Sequence, residues 1–160
     1  MSVGSVLIAL QASRRDGQEV TTADFLAPLK IKRGEVEATR ADGGQWASGL
    51  LCFAVARQSA FSHVDNSADA GAQSEAFHAA IVDAFRGAGR FLDKRSPAIT
   101  AGMRAAGLSV RVFIDIRMDQ DQMELEFPPE FLSACGRHGL CVYVISNDIP
   151  AAEIKPSKLL

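Results

Sequence analysis

Three sets of side chains in this sequence have types and spacings that could do chemistry. Cys135, His138 and Cys141 run as Cys-x2-His-x2-Cys, three donors that zinc would accept. A closed zinc site takes four ligands, and no fourth stands nearby. The plainer reading makes Cys135 a helix core residue, His138 a residue at a helix C-terminus and Cys141 a small strand residue, with no metal bound. His63 with Asp65 and Asp69 could form an acid-base pair, because imidazole titrates near neutrality and a carboxylate can orient it. No nucleophile or oxyanion donor accompanies them at a recognisable spacing, and Ser59 and Ser62 lack an elbow motif, so a solvated polar segment is the simpler account. Asp115, Glu124 and Glu126, with Asp119 and Asp121, gather carboxylates that could hold a hard cation, but their spacing fits no calcium loop. Arg111 and Arg117 interleave with them, as on a solvated face laced by ion pairs.

Cofactors are not expected. Gly43-Gly44 lacks the Lys-Ser/Thr that completes a phosphate loop, and Gly87-x-Gly89 falls inside a helical pattern rather than after a strand. Among the aromatic residues, Trp46 could be an exposed anchor, although burial is the simpler reading. Phe113 and Tyr143 differ: period-two alternation puts Phe113 on the polar side of its strand, beside arginines and carboxylates, which is the make-up of a recognition surface.

The elements that must position these residues follow from periodicity. Residues 3–12 form a short apolar strand that ends in a polar turn at 13–17. No Lys or Arg precedes that apolar stretch, so strand is expected rather than an export signal. Thr21 or Thr22 caps a short helix carrying Phe25, Leu26 and Leu29, which Pro28 limits. Residues 46–57 read as a strand apolar on both faces and therefore inside the sheet. A loop is expected over 58–73, long for a compact domain and so mobile or functional. Ser74 then caps a helix with Phe77, Ile81, Ala84, Phe85, Ala88 and Leu92 on one stripe, and Ser96-Pro97 opens a shorter helix ending at Gly107.

Residues 108–118 alternate most clearly: Val110, Val112, Ile114, Ile116 and Met118 on one side, Ser109, Arg111, Phe113, Asp115 and Arg117 on the other. A tight hairpin with its tip at Gln120-Asp121 would set Met118 against Met123, Ile116 against Leu125 and Ile114 against Phe127. The same register places Arg117 opposite Glu124 and Asp115 opposite Glu126. Pro128-Pro129 opens a last helix with Phe131, Leu132 and Cys135 inward, ended by Gly139 before a strand over 140–146. The expected fold class is α+β, a ferredoxin-like two-layer sandwich with helices on one face of a mainly antiparallel sheet. One domain should span 1–148, with a loosely ordered tail over 149–160.

Composition bounds the function. The chain has 160 residues, 48% of them hydrophobic, enough for the core of one domain. Seventeen Lys and Arg against nineteen Asp and Glu leave a net charge of -2, without the basic excess that nucleic acid binding requires. No apolar run is long enough to cross a bilayer. An odd number of cysteines, three, argues against a disulfide framework and for a reducing, cytoplasmic location.

Several of these stretches resemble an uncharacterised bacterial domain family of unknown function. The resemblance is carried by Leu29-Lys30-Ile31 after the first helix, by Thr39-Arg40 with Gly43-Gly44 and Trp46, by Pro129-Glu130-Phe131-Leu132 and by Gly139-Leu140. It spans most of the chain and implies a small cytosolic protein with an immunity-like or other protein-binding role; it brings no catalytic residues. The function expected is therefore a non-enzymatic module binding a protein partner, or a second copy of itself, through Arg111, Phe113, Asp115, Arg117, Glu124 and Glu126. The alternative is a small hydrolase or ligand-binding domain with His63 and Asp65 in a site near the 58–73 loop.

Overall fold

The computed structural model describes residues 4–32, 35, 49–58, 67–118 and 124–148. Among these residues, strands β1 (Gly4–Arg14), β2 (Leu50–Gln58), β3 (Leu108–Met118) and β4 (Cys141–Asp148) and helices α1 (Leu26–Leu29), α2 (Ser67–Asp93), α3 (Pro97–Ala105) and α4 (Pro129–Arg137) follow in the order β1-α1-β2-α2-α3-β3-α4-β4. The protein is α+β, with an open mixed sheet in the order β2-β1-β3-β4. β1 pairs antiparallel with both β2 and β3, and β4 lies parallel to β3.

Local chemistry explains most boundaries. Thr21 Oγ1 accepts from the Asp24 backbone N–H at 3.2 Å while Asp24 Oδ2 accepts from the Thr21 N–H at 3.3 Å, closing the turn ahead of α1; the expected threonine cap is not made, since α1 has Phe25 at its N-cap and no side-chain cap bond. Ser96 caps α3 by accepting from Ala98 N–H at 3.2 Å, with Pro97 in the first turn. Gly49, at φ +103°, turns into β2 so close to β1 that its carbonyl accepts from the Ala12 N–H at 2.7 Å; a Cβ there would collide with the Ala12 carbonyl oxygen.

One cluster forms the core. The inward positions of β1 (Val6, Ile8, Leu10) and β3 (Val110, Val112, Ile114, Ile116) pack with Ile81, Phe85, Ala88 and Leu92 of α2, Met103 of α3 and Phe131 of α4. The helical stripe read from the sequence faces the core: Ile81, Phe85, Ala88 and Leu92 are buried and joined by Phe91, with Phe77 and Ala84 partly buried against them. Gly89 lies where α4 crosses α2: a Cβ would stand 3.2 Å from the Phe131 Cα. This glycine permits a close helix–helix approach, which its weakening effect on an isolated helix would not suggest.

Four expectations need correction. The hairpin does not form. Residues 124–128 have no strand structure, and both edges of β3 are already occupied, by β1 and β4. Ile114 stands between Ile8 and Val144, and Ile116 between Val6 and Ser146. Leu125 and Phe127 still turn toward the core, Phe127 meeting the rings of Phe85 at 5.0 Å and Phe131 at 6.2 Å. They do so from an irregular segment in which alternate residues reach the core, mimicking a strand. Second, β2 is a sheet edge among the described strands. Its two-sided apolar pattern arises because Leu51 and Phe53 face the helices while Cys52 is buried on the opposite side beside Ala9, at a β-bulge between Ile8 and Ala9. Third, α2 begins at Ser67, so Ser74 is not its cap and residues 67–73 of the expected loop are helical. Finally, Leu132 points outward and is 48% exposed, while Ala134 takes the inward place beside Phe131 and Cys135. Gly139 ends α4 at φ +62°, as expected.

Candidate functional site

β3 alternates, so the residues between its core positions share the face away from the helices, and the register fixes their neighbours. Arg111 lies between Gln11 and Cys141, Phe113 between Ala9 and Tyr143, Asp115 between Leu7 and Ile145, and Arg117 between Ser5 and Asn147. Four of the six residues expected to bind a partner therefore stand together on one sheet face: Arg111, Phe113, Asp115 and Arg117. Tyr143 joins them from β4.

These side chains are built into a fixed array. The Arg111 guanidinium lies over the Tyr143 ring, 4.0 Å from its centroid, and its Nε donates to Gln11 Oε1 at 2.7 Å. The Tyr143 ring is near parallel to that of Phe113, at 20° with centroids 6.2 Å apart. Arg117 Nε donates to Asp115 Oδ2 at 2.9 Å, an ion pair along one strand whose carboxylate is mostly buried while the arginine remains 43% exposed. Tyr143 is also 43% exposed. Much of this face is open to solvent: Ser5, Leu7 and Gln11 of β1 are half-buried there, while Ala9 and Cys52 are fully buried although both lie outside the helix-side cluster.

Glu124 and Glu126 are not brought to that array. Both lie in the irregular segment ahead of α4, and Glu126 Oε2 stands 3.2 Å from His78 Nε2 on α2. The cross-strand pairs of Arg117 with Glu124 and of Asp115 with Glu126 are absent, because the strand that would create them does not exist. Asp115 instead meets the cation two residues along its own strand.

His138 is buried with both ring nitrogens engaged. Nε2 lies 2.8 Å from the Leu92 carbonyl, which can only accept, so Nε2 carries the proton and bare Nδ1 faces Thr100 Oγ1 at 3.2 Å. The Arg104 guanidinium donates to the His138 carbonyl at 2.9 Å. The histidine thus ties the ends of α2 and α4 to α3. Cys135 is buried in the core, where desolvation pushes its thiol up to about 11, and Cys141 is exposed on β4. Among the described residues no group of three His, Cys, Asp or Glu could hold a metal ion, so Cys135, His138 and Cys141 are not gathered into a ligand set.

Burial holds His138 below the ordinary histidine value, the nearby Arg137 and Arg104 charges adding to the effect. The unfolded chain therefore takes up the proton first as pH falls. The stability that neutral His138 contributes is complete above about pH 6.5 and is lost as pH drops below that toward the depressed folded value. Urea midpoints measured from pH 7.5 to 5 should fall for the native sequence and fall less for His138→Gln. Equal slopes would show that the buried ring does not control this acid limb.

His63, Asp65 and Trp46 lie outside the described residues, as do the Thr39-Arg40 and Gly43-Gly44 stretches and residues 149–160; Asp69 falls within α2. Arg95, a structural hub, is not announced by any sequence pattern. It pairs with Glu35 at 2.7 Å while also bonding two carbonyls, and the partners stand sixty residues apart with no local pattern to announce them. Among the described residues, no helix is long and apolar enough to cross a membrane. No protein-family model, no curated protein and no solved structure matches this chain.

Proposed function

We propose that this protein is a non-enzymatic binding module that engages another protein, or a second copy of itself, through the sheet face built by Arg111, Phe113, Tyr143, Asp115 and Arg117. One observation carries the reading: an exposed tyrosine held between a phenylalanine and a stacked arginine, all three on paired strands. Tyrosine and arginine offer large contact areas, and residues fixed before binding lose little side-chain freedom when a partner arrives. The resemblance to an immunity-like family points the same way. A cytoplasmic setting fits the buried Cys52 and Cys135. The finer architectural reading is a variant of the ferredoxin-like two-layer sandwich, supported by the packing of α2, α3 and α4 into one cluster with the sheet, and differing in its parallel β3–β4 pair.

Tyr143→Ala should weaken association about thirtyfold, the effect of losing an anchor worth roughly 2 kcal/mol, with the melting temperature nearly unchanged. Affinity capture followed by titration of the captured protein, with sedimentation to detect self-association, measures both quantities. Association unaltered by Tyr143→Ala in a folded protein ends the proposal.

A further inference from the structure

Several of the described arginines meet carboxylates. Arg14 meets Asp16 and Asp24, Arg86 meets Glu130, Arg117 meets Asp115 and Arg137 meets Asp93. Arg15, Arg90 and Arg104 meet none among the described residues, and neither does Arg111, which differs from those three in being held in the sheet-face array. Its Nε is taken by the neutral amide oxygen of Gln11 and its flat face by Tyr143, and among the described residues no acceptor meets its two terminal nitrogens. Those nitrogens form the part of the guanidinium fork that matches a carboxylate with two parallel hydrogen bonds.

We infer that the segment docking on this face is an acidic one that places a carboxylate on Arg111 and an apolar side chain against Tyr143 and Phe113. The inference rests on the protein-binding reading above and names the chemistry of the partner. Three features select it. First, stacking on Tyr143 and the bond to Gln11 already restrict the guanidinium, so little further ordering is needed to form a bidentate pair. Second, the other charges in the array cancel, Arg117 against Asp115 at 2.9 Å, and the Phe113–Tyr143 row separates Asp115 from Arg111. Among the described residues the array therefore carries one uncompensated positive charge, which suits a single carboxylate; a polyphosphate chain requires several cations along its length. Third, Tyr143 belongs to β4, whose outer edge has no strand neighbour among the described residues. An extended segment lying along that edge would send alternate side chains over the same face, which favours acidic and apolar residues in alternation.

The test uses the full chain, labelled with nitrogen-15, and three acetylated, amidated peptides in which Val and Phe alternate with Glu, with Gln or with Lys. The Glu peptide should bind at least tenfold more tightly than the Gln peptide, the usual advantage of a charge-assisted over a neutral hydrogen bond, and the Lys peptide more weakly than either. Amide shifts should concentrate in β3 and β4. Arg111→Gln should erase the difference between Glu and Gln peptides while leaving the melting temperature unchanged, and Arg111→Lys should recover only part of it. Equal affinity for the Glu and Gln peptides overturns the acidic preference, as does the absence of binding by any peptide or a shift pattern away from β3 and β4. The protein-binding reading is judged separately by the capture experiment with Tyr143→Ala, so either can fail alone.

Discussion

Replacing Arg95 with Met should destabilise the fold by about 3 to 5 kcal/mol, the usual cost of removing one partner from a buried ion pair. Nearly every donor of this guanidinium is used. Nε donates to the Leu29 carbonyl at 2.8 Å, one terminal nitrogen to Glu35 Oε1 and the Phe91 carbonyl, each at 2.8 Å, and the other to Glu35 Oε2 at 2.7 Å. The cation also lies 3.5 Å from the centre of the Phe91 ring. The Leu29 carbonyl ends α1, just before Lys30 turns left-handed at φ 48°, so Arg95 fastens that turn to the C-terminal end of α2. Without it, a carbonyl and a nearly enclosed carboxylate lose their partner together.

The same pair predicts an acid limb. The bond from Arg95 holds Glu35 down to about 2, against 4.5 for a free glutamate. Its contribution is complete above pH 4.5 and is lost as pH falls through 2. At full strength the shift corresponds to about 3 kcal/mol, and allowing for solvent at the outer edge of the pair leaves about 2 kcal/mol. Denaturant titrations from pH 6 to 2 should show Glu35→Gln losing less stability with acid than the native chain. The double variant Arg95→Met, Glu35→Met should recover much of the single-variant loss, because it leaves no stranded charge. An Arg95→Met loss under 1 kcal/mol would show that α1 does not depend on this anchor.

Phe85→Ala should cost a comparable 3 to 5 kcal/mol, through lost burial and the cavity left behind. The Phe85 ring is fully buried and meets two others, Phe127 at 5.0 Å and Phe131 at 4.9 Å. It holds both the irregular segment before α4 and the first turn of α4 itself. Phe85→Leu keeps most of the volume and should lose about 1 kcal/mol. Chemical denaturation of the two variants measures the difference; similar small losses from both would mean that the surroundings collapse into the gap.

Much of this was legible in sequence, for local reasons. Ser96-Pro97 marks a helix start by its own capping chemistry, the stripe from Phe77 to Leu92 follows a helical period, and alternation in β3 sorts Val112 and Ile114 inward and Arg111 and Phe113 outward. The outward set on β3 was visible for the same reason, since which side of a strand a residue occupies is a local property. Pairing is not. β3 finds its neighbours about a hundred residues upstream and beyond an intervening helix, and Leu125 and Phe127 supplied a nearer, false partner by alternating over the core. Glu124 and Glu126 were placed with the site only through that register and leave with it. Arg95 and Glu35 show the same limit, because their meeting is set by tertiary packing that neither residue signals.

The place of β1 in the sheet bears on how the chain is made. Its ladder with β3 joins residues about a hundred positions apart, so this interior strand is synthesised well before one of its two flanks exists. At ribosomal rates of roughly 5 to 20 residues per second, that nascent segment spends about 5 to 20 seconds with a greasy flank and unsatisfied amides exposed to the cell. Such an interval invites chaperone capture, and it makes slow elongation a hazard for this protein in a way that its finished shape conceals.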